Sequence, residues 1–542
     1  MSLAGRSYKE VCETFSWIIP ERFNIADAIC DRHVGADRTA LIYETTDGAV
    51  TDFTFEALQE RSRRLANALL AQGINRGDRI GILLPQCPEA LITHLAAYRI
   101  GAIALPLFTL FGPDALAYRL NDSGAKAAVS NTEGIEKLIQ LRDQLTVKPL
   151  LIAVEDRVDG STLEWSALIE AASSSHTTVA TAAEDPAIIV YTSGTTGNPK
   201  GVLYAHRTLL GHMPGVEFPH DFFPQPGDRM WTPADWAWAG GLMDVLLPSL
   251  FHGIPVLAKR LKKFDPEEAF SLIGRHGVRN AFMPPTALKM MRQVTRPQER
   301  FSYAMRSIAS GGERLGEEML GWGREVFGFT MNEFYGQTEA NLTVGNCASI
   351  MPLKEGSMGR AMPGHVLEVV DEEGHPVKPG ETGTIAVKAP DPVFFLRYWN
   401  MPDATKEKFR NGWLLTGDTG HRDEEGYFWF HGRNDDVIIS GGYRIGPTEI
   451  EDCLMQHPAV ALVAVVGVPD SVRGEVVKAF VVPRAGTTVD DALREDMQRF
   501  VKARLSAHEY PRQIEIRDSL PMTITGKIRR KDLRDEANGT TP

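Results

Sequence analysis

Eleven consecutive residues, Tyr191-Thr192-Ser193-Gly194-Thr195-Thr196-Gly197-Asn198-Pro199-Lys200-Gly201, concentrate three glycines, four Ser or Thr hydroxyls and one lysine. They follow directly on the apolar run Ala187-Ile188-Ile189-Val190. That order describes a strand feeding a hydroxyl-rich loop. Glycines open backbone conformations closed to other residues, so N–H groups, hydroxyls and an ammonium can converge on one anion. The ligand such a loop suits is a polyphosphate. The spacing is Gly-x-x-Gly-x-x-Lys-Gly, not the Gly-x-x-x-x-Gly-Lys-Ser/Thr of a Walker A loop.

Three further motifs follow in chain order: Glu333-Phe334-Tyr335-Gly336-Gln337-Thr338-Glu339; Thr416-Gly417-Asp418 with Gly432-Arg433-Asn434-Asp435-Asp436; and Pro521-Met522-Thr523-Ile524-Thr525-Gly526-Lys527. With the glycine-rich loop they resemble the acyl-adenylate-forming superfamily of acyl-CoA synthetases, peptide-synthetase adenylation domains and firefly-type luciferases. Within it the chain is most similar to medium-chain acyl-CoA synthetases. The resemblance extends over essentially the whole chain.

It implies ATP, Mg²⁺ and coenzyme A as the small molecules handled. Thr192, Ser193, Gly194, Thr195, Thr196, Gly197 and Lys200 would hold the phosphates. Glu339, a hard carboxylate, would bind Mg²⁺ with Thr195 and water. Tyr335 would stack on adenine within the motif that also holds Glu333, Gly336, Gln337 and Thr338. Gly312 and Glu313, in Ser310-Gly311-Gly312-Glu313, would pack on the other face of the base. Asp418 and Arg433 would take the ribose hydroxyls. Lys527 is the implied catalytic lysine, acting with Thr195 and Glu339. Adenylation is an attack by a carboxylate on the α-phosphate, where positioning and fixed positive charge do most of the catalysis.

For the thioester step the resemblance implies a hinge at Asp435. Gly441, Gly442, Tyr443 and Arg444 would then enter the site, and Arg473 would contact the CoA nucleotide. The acyl pocket would be lined by Trp238, Ala239, Gly240 and Gly336. Acetyl-specific relatives carry a tryptophan at the position of Gly336, so the glycine reads as room for a longer or wider acid. Ala239 and Gly240 read the same way. No aspartate stands at Ala239, which argues against an amino-acid substrate. The Lys527 motif also resembles the target of bacterial protein acetyltransferases. That implies a lysine acetyltransferase and a deacetylase as partners, although the motif serves catalysis alone equally well.

The elements that must position these groups are legible in outline. Residues 57–72 and 88–100 have helical periodicity, and 79–84 and 102–106 are strand-like, the rhythm of βα units on a parallel sheet. Residues 171–184 read as a surface linker, 228–331 as a second α/β segment with a strand at 254–257, and 345–430 as β-rich. After residue 435 the pattern becomes α+β, with strands at 459–468 and 478–482 and a helix at 490–505. The expected fold class is therefore multi-subdomain α/β. Residues 1–434 would form a large domain of stacked α/β subdomains with a β-barrel-like element, and 435–542 a small mobile α+β lid.

Composition sets the outer bounds. A chain of 542 residues exceeds one core and divides into domains. A net charge of −12 excludes a generally basic surface for nucleic acid. Five cysteines, Cys12, Cys30, Cys87, Cys347 and Cys453, are scattered without metal-ligand spacing, which fits a reducing cytoplasm. The apolar stretch 240–258 is broken by Asp244, His252 and two prolines and reads as core, not a membrane span. Residues 1–17 lack the apolar core of a secretory signal.

The expected activity is an ATP-dependent carboxylic acid–CoA ligase that makes acyl-CoA, AMP and pyrophosphate. Its substrate would be a small-to-medium hydrophobic acid, whether medium-chain, branched, cyclic or aryl. The rival enzyme would load a separate carrier protein. A rival of another class is a non-catalytic nucleotide sensor, against which the intact Lys200, Glu339, Asp418, Arg433 and Lys527 set argues. The sequence leaves the exact acid and the oligomeric state open, a homo-oligomer included.

Overall fold

The computed structural model describes residues 3–155, 158–160, 162–192, 199–261, 263–312, 315–433, 436, 438–440, 443–470, 473–505, 510–523 and 526–539. Packing divides the chain into two compact units, one of residues 1–354, 358–366 and 389–408 and another of 355–357, 367–388 and 409–542. Each is a mixed α/β body.

In the first unit one sheet runs in the order Leu163–Glu164, Leu150–Ala153, Ala127–Ser130, Arg79–Leu83, Ile103–Pro106, Pro186–Thr192, Lys200–Ala205, Arg397–Tyr398. It is parallel up to Pro186–Thr192, and the last two strands run antiparallel. The helices Phe55–Ala71 and Pro88–Arg99 realise the periodicity read at 57–72 and 88–100. Phe55, Leu58, Ser62, Leu65 and Leu69 are buried at three- and four-residue spacing, and Thr54 caps the start by accepting the Ala57 N–H. The core holds Leu83, Leu105, Leu116, Ile135, Ile189 and Leu203.

The second sheet of this unit orders Val50–Thr54, Thr39–Glu44, Val256–Lys259, Met230–Trp231, Asn280–Phe282, Ser307–Gly311, Asn332–Gln337, Ala340–Gly345 and Gly359–Ala361. Its middle is parallel and its outer pairs are antiparallel. Glu44, 2% exposed, ends the strand Thr39–Glu44. Its carboxylate takes Lys259 Nζ at 2.6 Å, Arg275 Nη2 at 2.6 Å and the His276 ring. Burial opposes ionisation there, but the hydrogen bonds from Arg275, Lys259 and His276 prevail and hold the carboxyl down to about 2.

The apolar stretch 240–258 does not form one helix. It breaks into Ala239–Gly241, a π-helical turn Leu242–Leu246, the helix Leu247–Phe251 and the strand Val256–Lys259. Pro248 has no N–H to return to the carbonyl of Asp244 four residues earlier, which favours the widened turn. No helix among the described residues is long and apolar enough to cross a membrane.

In the second unit, Leu367–Val370, Gly383–Lys388, Trp413–Arg422 and Tyr427–Arg433 form an antiparallel sheet. No pairing among the described residues closes it, so the expected barrel-like element is an open sheet. By packing, 367–388 and 409–433 group with the C-terminal residues, whereas the sequence reading gave them to the large domain. Residues 434 and 435, at the expected boundary, lie outside the described residues. The remaining strands pair as Tyr443–Ile445, Ile438–Ser440, Gly474–Pro483 and Val460–Asp470, with Gln513–Ile516 parallel to Gly474–Pro483. The helix Asp491–Arg504 is capped by Asp490, which accepts the Leu493 N–H at 2.8 Å.

Candidate active site

Strands Pro186–Thr192 and Lys200–Ala205 are antiparallel neighbours with Thr192 opposite Lys200. The Thr192 hydroxyl donates to the Lys200 carbonyl at 3.4 Å. The loop candidates between them, Ser193, Gly194, Thr195, Thr196 and Gly197, lie outside the described residues, as do Glu313, Asp435, Gly441 and Gly442.

Lys200 and Glu339, read from motifs far apart in sequence, meet through a residue the sequence reading missed. Lys200 Nζ stands 5.1 Å from the centroid of the Tyr398 ring, and the Tyr398 hydroxyl donates to Glu339 Oε1. Tyr398 is 2% exposed. Its backbone pairs with Val202, two residues from Lys200 on the same strand. The Phe395 N–H donates to the Glu339 carbonyl at 3.0 Å, fixing the carboxylate's backbone as well. Nothing in the spacing around Arg397-Tyr398-Trp399 signals this role, because the partners come from separate elements. Tyr398 engages one oxygen of Glu339 and leaves the other for a hard cation. An oxygen donor set of one carboxylate with substrate phosphates fits Mg²⁺. Among the described residues no cluster of three or more His, Cys, Asp or Glu side chains forms a separate metal site.

The neighbouring motif residues sit on the strand Asn332–Gln337 and the turn after it. Glu333 accepts the Leu315 N–H at 2.7 Å, which ties the strand to the segment following Gly312. Tyr335 and Gln337 are half-buried, and Thr338 offers its carbonyl to the buried Tyr204 hydroxyl. Burial above all, then the Glu339 carboxylate, pushes the Tyr204 phenol far up, so Tyr204 remains a neutral donor.

The acyl candidates need a correction. A Cβ on Gly336 would lie 2.1 Å from the Leu342 backbone nitrogen. Gly336 is therefore required by the close approach of its own hairpin, with Leu342 at φ +59°, and does not leave space for substrate. At Gly240 a Cβ would lie 2.8 Å from Phe282 Cε1 and 3.0 Å from the Trp238 ring. The Trp238 ring packs on Phe282 at 5.5 Å, and Phe282 stacks on Phe334 at 5.3 Å. Gly240 is small because this aromatic row crosses it, and Ala239 is buried beside it.

Two acids flank that row. Burial lifts the Asp235 carboxyl to about 6 against the hydrogen bond it accepts from the Ala237 N–H at 2.8 Å. Burial pushes Asp244 well above the usual range, against the Asn341 amide that donates to it at 2.5 Å. The sequence did carry a signal for Asp244: it is the one acid in the apolar stretch 240–258.

In the second unit Asp418, 5% exposed, faces Arg433 across adjacent antiparallel strands, so the two ribose candidates stand side by side. The Asp418 N–H donates to Thr416 Oγ1 at 3.1 Å, and that hydroxyl donates to the Ile385 carbonyl at 2.6 Å. Lys527 is exposed on a tight turn. The Thr523 N–H donates to the Lys527 carbonyl at 2.7 Å and the Lys527 N–H to Thr523 Oγ1 at 3.0 Å, with Gly526 at φ +84°. That backbone angle is why the motif needs glycine before its lysine. Asp436 pairs with Arg534 at 2.5 Å and Arg530 at 3.7 Å, on the helix Arg530–Ala537 that follows the lysine turn. Arg473 is exposed, its N–H donating to Asp470 at 2.9 Å. Tyr443 and Arg444 lie on the strand Tyr443–Ile445, and their side chains are outside the description.

The chain is similar to known proteins over nearly its whole length. The family model of AMP-binding enzymes matches residues 30–399, and that of the AMP-binding enzyme C-terminal domain matches 449–527. An uncharacterized acyl–CoA ligase of Bacillus subtilis (strain 168) is 34% identical over 519 residues, covering 95% of this chain and 96% of its own. The mitochondrial acyl-coenzyme A synthetase ACSM3 of Rattus norvegicus is 34% identical over 552 residues, covering 99% and 94%. Among solved structures, an acyl-CoA synthetase of Brucella canis superposes with a TM-score of 0.77 at 34% identity, covering 98% and 99%.

Proposed function

Because the chain belongs to the AMP-binding enzyme family, as an AMP-forming acid–CoA ligase, we propose that it activates a small-to-medium, largely hydrophobic carboxylic acid with the residues located above. The observation that carries this reading is the gathering of Lys200, Tyr398 and Glu339. It joins a phosphate cation on a strand of one sheet to a metal-suited carboxylate in a hairpin turn of the other.

In the first step an oxygen of the substrate carboxylate bonds to the α-phosphorus of ATP, and the bond to the leaving pyrophosphate breaks. Lys200 and the loop hydroxyls hold the β- and γ-phosphates. Mg²⁺, bound by Glu339 with Thr195, would neutralise phosphate charge. Asp418 and Arg433 take the ribose, Tyr335 the adenine, and Lys527 the charge developing between carboxylate and phosphate. In the second step the CoA sulfur bonds to the acyl carbon and AMP leaves, with 441–444 and Arg473 guiding the thiol arm. On this reading residues 435–542 act as a lid pivoting at Asp435. Asp436, tied to the helix after Lys527, supports that reading because it makes the pivot side and the lysine segment one piece. The lid lysine is also the place where a lysine acetyltransferase and a deacetylase would act in a cytoplasmic protein, and mass spectrometry of Lys527 from native cells tests it.

The deciding experiment measures AMP release from a panel of carboxylic acids with and without CoA. CoA-dependent turnover supports the ligase. Adenylate formation that only a carrier protein can discharge supports the carrier-loading rival, and no AMP with any acid overturns both. Lys527→Ala should slow adenylation by about 10²–10³-fold or more while largely sparing thioester formation from supplied acyl-AMP. Equal loss in both steps would remove Lys527 from its assigned role.

A further inference from the structure

Asp244 is a buried carboxyl with a single neutral side-chain partner among the described residues. It lies on the π-helical turn Leu242–Leu246, which continues the segment of Trp238, Ala239 and Gly240, and it is 4% exposed. Among the described residues its hydrogen-bond partner is Asn341, two residues beyond Glu339. Asn341 is itself 8% exposed. The pair thus joins the aromatic row to the hairpin that carries the metal-suited carboxylate. Single π turns inside helices recur at functional sites. A buried polar group is retained only where something satisfies it.

We propose that Asp244 is a specificity-determining residue: with Asn341 it hydrogen-bonds a hydroxyl or carbonyl oxygen borne by the acyl chain, so that the preferred substrate is an oxygenated acid and not a plain hydrocarbon one. This rests on the reading of Trp238 to Gly240 as the acyl wall and sharpens the substrate class given above. Three features support it. Asn341 donates to one carboxyl oxygen, which leaves the other facing no protein partner among the described residues. Burial pushes the carboxyl well above its ordinary range, which favours the protonated form, an O–H donor. The Asn341 amide oxygen is an acceptor beside it, so a substrate hydroxyl would find both a donor and an acceptor.

The test compares kcat/KM, by CoA-dependent AMP release, for hexanoate and for hexanoates bearing a keto or hydroxyl group at C3, C4 or C5. A site built to hydrogen-bond a substrate oxygen rejects the analogue that lacks it strongly. At least one oxygenated acid should therefore exceed hexanoate by about 10²-fold. Asp244→Leu should abolish that ratio or invert it. Asp244→Asn, whose amide can still donate, should keep part of it. The wild-type comparison needs no variant, so misfolding of Asp244→Leu leaves the proposal open to refutation. Hexanoate equal to or better than every oxygenated acid overturns it. So does an equal loss on all acids in Asp244→Leu, which would mark a purely structural pair. A preference for an amino-bearing acid, lost in Asp244→Asn, would make Asp244 an anion and overturn it too. Acids that turn over without an oxygen preference refute this inference alone, whereas no AMP from any acid refutes the ligase reading first.

Discussion

Glu44 and Asp244 are both buried carboxyls in the first unit, yet their surroundings drive them in opposite directions. Glu44 is met by Lys259, Arg275 and His276 and stays ionised down to about 2. Asp244 has one neutral partner and is pushed up, and Asp235 nearby reaches about 6. The first region has spent its carboxylate on tying a strand end to a helix. The second leaves its carboxyls with neutral partners alone, an amide and a backbone N–H, which is costly for folding. The number and charge of a buried acid's partners, and not burial by itself, therefore set the direction in which its carboxyl is driven.

The sharpest way to break this contrast is to remove Glu44. Glu44→Ala leaves Lys259 and Arg275 with Glu268 as their remaining carboxylate and the buried His276 without its acceptor, and should cost about 1–3 kcal/mol, read as an earlier urea transition, with kcat of the surviving folded protein near wild type. A large loss of kcat at unchanged stability would move Glu44 into the site. Glu339→Gln should do the reverse. It keeps the hydrogen bond from Tyr398 but removes the charge, so activity should fall about 10²–10³-fold while the urea transition barely moves.

The smallest effect is the pH dependence of stability, and the two regions have opposite signs. Glu44 has a folded value below its ordinary 4.5, so its contribution is present above about 4.5 and lost as pH falls toward about 2. Asp235 is raised from 3.8 to about 6, so the folded state binds more protons there and stability falls as pH rises through that window. Glu44→Ala should flatten the lower limb and Asp235→Asn the upper one. If Asp235→Asn leaves the slope between pH 4 and 6 unchanged, Asp235 is not buried as a neutral acid.

What could be read beforehand from residues alone follows the same divide between local and distant causes. The helix Asp491–Arg504, read at 490–505, and the βα rhythm around Arg79–Leu83 and Ile103–Pro106 are local patterns, and each was legible. Tyr398 was not, because its partners Lys200 and Glu339 come from another strand and a distant hairpin turn. The cations of Glu44 lie more than 200 residues away, at |i−j| of 215 and 231. Gly336 was legible as a glycine but not for its reason. A missing side chain can mean room for a ligand or contact with backbone, and only the position of the Leu342 nitrogen distinguishes them.

The Tyr398 ring also acts as an insulator. Opposite charges left facing each other in a cleft tend to collapse into an ion pair, and a site that has quenched itself offers little field to an arriving anion. Here an aromatic disc stands between the Lys200 ammonium and the Glu339 carboxylate, touching one with its face and the other with its hydroxyl. No described carboxylate forms an ion pair with Lys200. On the proposed reading the lysine is thus kept undischarged for a phosphate, with the tyrosine as the spacer that holds the two charges apart.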